Sequence, residues 1–69
     1  MSNIVILTTN IHGDNTFYEY YYPGEAEGAI KRISMTDRLQ GAIIKGRFFG
    51  IMNWEDLLER IKRTRNWDL

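Results

Sequence analysis

The stretch that decides the fold is Thr-Phe-Tyr-Glu-Tyr-Tyr-Tyr at residues 16–22, which contains five of the nine aromatic residues of the chain. Aromatic residues are enriched on pleated, half-buried surfaces, so the stretch predicts a β-strand. Because side chains alternate along a strand, one face is expected to hold Phe17, Glu19 and Tyr21. The other face is expected to hold Tyr18, Tyr20 and Tyr22. We expect the face with Glu19 to reach solvent and Tyr18 and Tyr20 to lie mainly in the core.

The length of the chain predicts a single domain over residues 1–69, which is close to the lower size limit for a stable core. The absence of cysteine excludes disulfides and thiolate metal sites and favours a reducing, cytoplasmic location. The N-terminal residues have no basic start and only a short apolar run, so we expect neither a signal peptide nor a membrane span.

The segments on either side of the aromatic stretch predict the remaining elements. Residues 3–9 are apolar on both faces of a predicted strand, which favours a central position in the sheet. Residues 10–15 have the composition of a turn and join this strand to the aromatic strand as a hairpin. Pro23 and Gly24 end the aromatic strand. A helix follows, and its small apolar stripe consists of Ala26, Ala29, Ile30 and Ile33.

The C-terminal part predicts a second hairpin and a second helix. Residues 41–52 form either two short strands joined at Lys45-Gly46 or one bent strand, and we favour the hairpin because Gly46 suits a two-residue turn. Asn53 is expected to cap the last helix. The apolar stripe of that helix consists of Trp54, Leu57, Leu58 and Ile61. The predicted fold is therefore α+β in the order ββαββα, a four-stranded antiparallel sheet with two helices packed on one face.

The charges are unevenly distributed although the formal net charge is zero. Residues 1–28 contain four acids and no lysine or arginine, whereas residues 29–69 contain all nine basic residues and five acids. A neutral chain is not typical of a nonspecific nucleic-acid binder, but this asymmetry can steer a partner or favour self-association.

No motif with a defined chemistry is present in the sequence. His12 and Asp14 are the one pair that resembles an acid/base or metal site, and we interpret them as turn residues because a metal needs three or four ligands. A nucleophile elbow and a glycine-rich phosphate loop are both missing. We therefore expect no enzyme activity, no catalytic residues, no metal and no cofactor.

The exposed aromatic residues and the basic end of the last helix are the candidate binding features, because tyrosine and tryptophan are favoured at protein interfaces. The candidate partner-binding residues are Phe17, Glu19, Tyr21, Arg60, Arg63 and Trp67. The first alternative is a nucleic-acid-binding regulator that uses Tyr18, Tyr20, Lys45, Arg47, Arg60 and Arg63. A small structural homodimer is the second alternative. No membrane partner is expected.

The opening hairpin, with Thr8-Thr9-Asn10 followed by Phe17-Tyr18-Glu19-Tyr20, resembles the start of small phage-encoded anti-CRISPR proteins of the type I class. Members of that group are short, cysteine-free α/β chains that bind and block a defence complex, often through acidic surfaces that mimic nucleic acid. The present chain is neutral overall and basic toward its C-terminus. The resemblance therefore implies an inhibitor from a phage or mobile element that binds a host or defence protein, and it transfers no functional residue.

Overall fold

The computed structural model describes the backbone of residues 4–67 and the side chains of residues 4–64. Its elements, in chain order, are β1 (Ile4–Thr9), β2 (Asn15–Tyr20), α1 (Pro23–Ile33), β3 (Arg38–Ile44), β4 (Arg47–Phe49) and α2 (Trp54–Trp67). The predicted ββαββα order and α+β class are confirmed.

The four strands form one antiparallel sheet in the order β2-β1-β3-β4. The predicted central position of β1 is confirmed, since it pairs with β2 on one side and with β3 on the other. The chain leaves the first hairpin, passes through α1 and returns to the opposite side of β1. The sheet is therefore completed by pairing of β1 with β3, two strands that are far apart in sequence.

Two tight turns fix the hairpins. In the first, the side-chain oxygen of Asn10 accepts hydrogen bonds from the backbone N–H groups of His12 at 2.9 Å and Asp14 at 3.0 Å. His12 therefore lies in an exposed turn. In the second, Lys45 and Gly46 adopt φ values of 53° and 79°, the left-handed conformations of a two-residue hairpin turn. This geometry confirms the hairpin and shows that the bent-strand alternative is wrong.

The hydrophobic core lies between one face of the sheet and both helices. Ile4 and Ile6 of β1 point into it, and the predicted stripe of α1 is completely buried. In α2, Leu57 and Ile61 are fully buried, whereas Trp54 and Leu58 are only partly buried at the edge of the core. The stripe of α2 is thus correctly identified, but its members differ in how much they contribute to packing.

The aromatic strand is shorter than the run of aromatic residues. β2 ends at Tyr20, and Tyr22 is the residue that precedes the first turn of α1, with Pro23 at the start of the helix. Tyr22 is 67% exposed, so the expectation that it shares a face with Tyr18 and Tyr20 is wrong. The reason is that the chain must leave the extended conformation before Pro23 begins the helix.

A β-bulge adjusts the pairing of β1 with β3. Leu7 is opposite Gly41 and Thr8 is opposite Leu39, so Gln40 is an extra residue in β3. The bulge keeps Leu39 in the core while Gly41 lies on the other face. A Cβ atom at Gly41 would be 2.9 Å from the ring of Phe48, because that ring packs directly over the glycine.

Candidate functional site

The face of the sheet that points away from the helices is largely apolar. Five residues define this open face: Val5, Leu7, Phe17, Ile43 and Phe48. The strand register brings them together, since Leu7 is opposite Phe17 and Ile43 lies between Val5 and Phe48. Within residues 4–67, both helices pack against the opposite face. The open face is therefore a candidate binding surface.

The aromatic rings are the most exposed part of the open face. Phe17 and Phe48 lie on different strands and are 63% and 60% exposed, whereas the three aliphatic residues between them are half-buried. Single exposed apolar side chains are common on protein surfaces, whereas a contiguous exposed apolar patch often marks a binding site. The face thus combines a semi-buried aliphatic centre with two accessible rings.

Two charged residues lie at opposite ends of the open face. Glu19 is exposed on β2, as predicted, and it pairs with Val5, so it lies beside the apolar centre. Arg38 is exposed at the start of β3, opposite Thr9. An acid and a base therefore border the same apolar surface at separate positions.

The exposed aromatic surface continues beyond the end of β2. Tyr21 and Tyr22 follow the strand and are 55% and 67% exposed. The three predicted contact residues of the aromatic stretch thus have different positions: Phe17 and Glu19 lie on the sheet, and Tyr21 lies in the connection to α1. Since β2 pairs only with β1 among the described strands, Phe17 and Glu19 lie on an edge strand of the sheet, and Tyr21 follows the end of that strand.

Tyr18 faces the helix side of the sheet and takes part in a polar network. Its hydroxyl donates a hydrogen bond of 3.0 Å to Oδ2 of Asp37. The same carboxylate oxygen accepts hydrogen bonds from Thr8 at 2.8 Å and Thr16 at 3.2 Å, and Oδ1 accepts one of 2.9 Å from Thr36. One carboxylate therefore joins both strands of the first hairpin to the segment that follows α1.

The network changes the protonation behaviour of its members. Hydrogen bonding from Thr8 is the main cause that lowers the pKa of Asp37, and the hydroxyls of Thr36, Tyr18 and Thr16 act in the same direction. The hydrogen bond to Asp37 is the main cause that raises the pKa of Tyr18. Sequence reasoning missed this network because Asp37 is separated from its strand partners along the chain and belongs to no local motif.

The predicted basic residues of α2 lie away from the open face. Arg60 packs over the ring of Phe49, with its Cζ atom 4.4 Å from the ring centroid. Arg63 forms an ion pair of 3.0 Å with Glu59 on the same helix. Since Phe49 is opposite Ala42 of the core face, both arginines lie on the helix side of the sheet. The prediction for Trp67 concerns a side chain outside the described residues.

The structure thus does not bring Arg60 and Arg63 together with Phe17 and Glu19 on one surface. Sequence reasoning also missed Phe48 and the aliphatic centre of the open face. The signal was present in β1, whose apolar residues point to both sides of the strand, but the partner strands could be identified only once the strand order was known.

The described residues contain no cluster of metal-ligating side chains and no membrane-spanning helix. No group of three or more histidine, aspartate or glutamate side chains in this part of the chain is placed to hold a metal ion. None of the described helices is long and apolar enough to cross a membrane. In comparisons with known proteins, no family model, curated protein or solved structure matches the chain.

Proposed function

We propose that this protein is a non-catalytic binding module that attaches to another protein through the open face. The supporting observation is the exposure of Phe17 and Phe48, 63% and 60%, on either side of a half-buried aliphatic centre. Aromatic residues are enriched among the side chains that contribute most to binding, because each offers a large rigid contact area. A partner that covers the face would remove both rings from water.

The size of the open face favours a larger protein over a second copy of this chain. From the standard rise and spacing of strands, a face of four short strands measures roughly 20 Å by 15 Å, or about 300 Å². A stable interface needs about 800 Å² from each partner. Two copies stacked through this face alone would fall short of that area. A larger partner can extend past β2 and also cover Tyr21 and Tyr22.

The charges define the chemistry expected of the partner surface. It should be apolar at its centre, with a basic group opposite Glu19 and an acidic group opposite Arg38. Such complementarity affects specificity and association rate more than raw affinity. Both residues are exposed at the border of the face, so replacing them should alter the salt dependence of binding without abolishing it.

We propose inhibition by steric blocking as the biological role, in the cytoplasm, with a host or defence complex as the target. The resemblance of the opening hairpin to type I anti-CRISPR proteins supports this class of target, and the cysteine-free sequence supports the location. Because the chain is neutral, the proposed mechanism depends on the apolar open face and not on mimicry of nucleic-acid charge.

The experiment compares capture of proteins from the natural host by the parent chain and by two sets of variants. Phe17→Ala and Phe48→Ala remove the rings of the open face. Ile11→Ala and Met35→Ala are matched controls, because these apolar residues are 79% and 84% exposed in connecting segments away from the sheet face. Thermal unfolding of each variant establishes that the fold is retained.

We expect one captured protein to be lost with both open-face variants and retained with both controls. Equal loss with all four variants, or none with any, would reject the open face as the binding surface. Sedimentation at micromolar concentration adds an independent criterion. A stable dimer that dissociates on replacement of Phe17 or Phe48 would assign the face to a second copy and overturn the choice of a different partner.

A further inference from the structure

A second surface lies on the helix side of the molecule, in the groove between β4 and α2. Its lining consists of Ile44, Lys45, Arg47, Phe49, Arg60 and Thr64, which we call the β4–α2 groove. Three of these residues are basic and none is acidic. The groove is therefore a concentrated positive region on a chain whose formal net charge is zero.

The two arginines of the groove are held by one aromatic ring. The Cζ atoms of Arg60 and Arg47 lie 4.4 Å and 5.5 Å from the centroid of Phe49. The two guanidinium groups are thus within about 10 Å of each other. A guanidinium stacked on a ring retains N–H donors in its own plane, and these donors suit bidentate contacts with phosphate oxygens.

The neighbouring turn of α2 provides a contrast. Arg63 forms an ion pair with Glu59, so its charge is partly balanced. Arg60 and Arg63 both line a neighbouring groove that contains Asp56 and Glu59, and Arg60 lies at the border of the two grooves. In the β4–α2 groove, no carboxylate is found among the described lining residues.

We infer that the β4–α2 groove binds the phosphate backbone of a single-stranded nucleic acid. Phosphate is the anion that a pair of nearby arginines recognises through planar, bidentate contacts. The apolar side chains of Ile44 and Phe49 lie beside the basic groups, and such surfaces, together with guanidinium planes, accept sugars and bases next to the backbone. A duplex is disfavoured because the groove is formed by side chains of one short strand and one helix and offers no element to insert into a major groove.

This site differs from the nucleic-acid surface expected from the sequence. Tyr18 and Tyr20 face the helix side of β2, and the hydroxyl of Tyr18 is bound to Asp37, so neither ring belongs to the groove. The proposed binding therefore uses contacts from the arginines around Phe49 and not the stacking of bases on the tyrosines. The inference also stands independently of the proposed function, because the open face lies on the other side of the sheet.

The test is fluorescence anisotropy of a labelled oligothymidine as salt concentration is varied. Contacts from the two arginines predict a slope of about −1.4 for log affinity against log salt. Arg47→Gln and Arg60→Gln should each weaken binding severalfold and make the slope shallower by about 0.7. Arg63→Gln is the matched control, because it removes the same charge from the same helix, and its affinity should stay close to that of the parent.

A loss of binding can be distinguished from a loss of folding in two ways. Arg47 is exposed on a short edge strand, so its variant provides a test even if loss of Arg60 disturbs the packing on Phe49. Thermal unfolding is measured for every variant. The inference is overturned if Arg63→Gln weakens binding as much as Arg60→Gln, if the parent does not bind at low salt, or if polyglutamate competes as well as the oligonucleotide.

Discussion

The adjacent leucines of α2 allow the packing of this domain to be tested with two nearly identical substitutions. Leu57 is completely buried, whereas Leu58 lies partly exposed at the edge of the core. Leu57→Ala and Leu58→Ala remove the same atoms from the same helix and change helix propensity equally. A difference in their free energies of unfolding therefore reports the local packing alone.

The expected magnitudes follow from burial. Replacing a fully buried leucine by alanine costs about 2 to 5 kcal/mol, and for Leu57, which has zero exposure, we expect a value near the middle of that range, at about 3 to 4 kcal/mol. The side chain of Leu58 buries less apolar surface, so its truncation should lower the free energy of unfolding by only about 1 kcal/mol. A domain of this size has a total stability of roughly 3 to 10 kcal/mol. Leu57→Ala should therefore remove a large fraction of the stability.

The assay is urea unfolding followed by circular dichroism, with thermal unfolding as a second measurement. One kcal/mol shifts the melting temperature of a small domain by about 4 to 8 °C, so the two variants should be clearly separated. An unchanged dependence on urea would establish that both variants unfold from the same compact state. If Leu58→Ala proves as damaging as Leu57→Ala, or more so, α2 is rotated relative to the sheet and the described core is wrong.

Three further predictions concern other parts of the fold. Hydrogen bonding lowers the pKa of Asp37 in the folded state, so the stabilisation from the Asp37 carboxylate is complete above the unfolded pKa of about 3.9 and is lost as pH falls through the folded pKa. Asp37→Asn should therefore flatten the acid side of a profile of stability against pH measured by urea unfolding. Parallel profiles for the parent and the variant would contradict this. Phe17→Ala should leave the melting temperature nearly unchanged, whereas Tyr20→Ala should lower it clearly, because it truncates a ring that packs on the core. A larger loss for Phe17→Ala than for Tyr20→Ala would mean that the two faces of β2 are assigned the wrong way round. Gly28→Ala in α1 should stabilise the fold by about 0.5 to 1 kcal/mol, because the added Cβ meets no neighbour. Gly41→Ala should destabilise it by about 1 to 3 kcal/mol, because the added Cβ would be 2.9 Å from a backbone oxygen. Calorimetry that gives both changes in stability the same sign would refute the assigned environments.

The parts of the fold that sequence reasoning predicts correctly are those set by local signals. The apolar stripe of α1, the cap at Asn53 and the turn at Lys45-Gly46 each depend on residues a few positions apart. The alternation in β2 correctly assigned Phe17 and Glu19 to the outer face because burial of one face fixes the register.

The parts that were missed depend on contacts between distant segments. The Asp37 network joins residues of three segments, and the composition of the open face depends on β3 and β4 lying on the far side of β1. The contact of Arg60 with Phe49 is also a tertiary effect, because it joins α2 to β4. Helix spacing predicts the i,i+4 pair of Arg63 with Glu59, but it cannot predict a contact with a ring on another element.

The position of β1 in the middle of the sheet has a consequence for how the chain folds during synthesis. The first hairpin can form as soon as β2 has been made, but Ile4 must wait for Ile44 before its other edge is paired. Until then, both apolar faces of β1 and its free edge remain uncovered, and α1 has no complete surface to pack on. Non-local pairing of this kind slows folding and exposes strand edges to other chains. The N-terminal half should therefore be the species most prone to aggregation, and a free peptide of residues 1–37, which ends before β3, should be more sensitive to protease than the full chain.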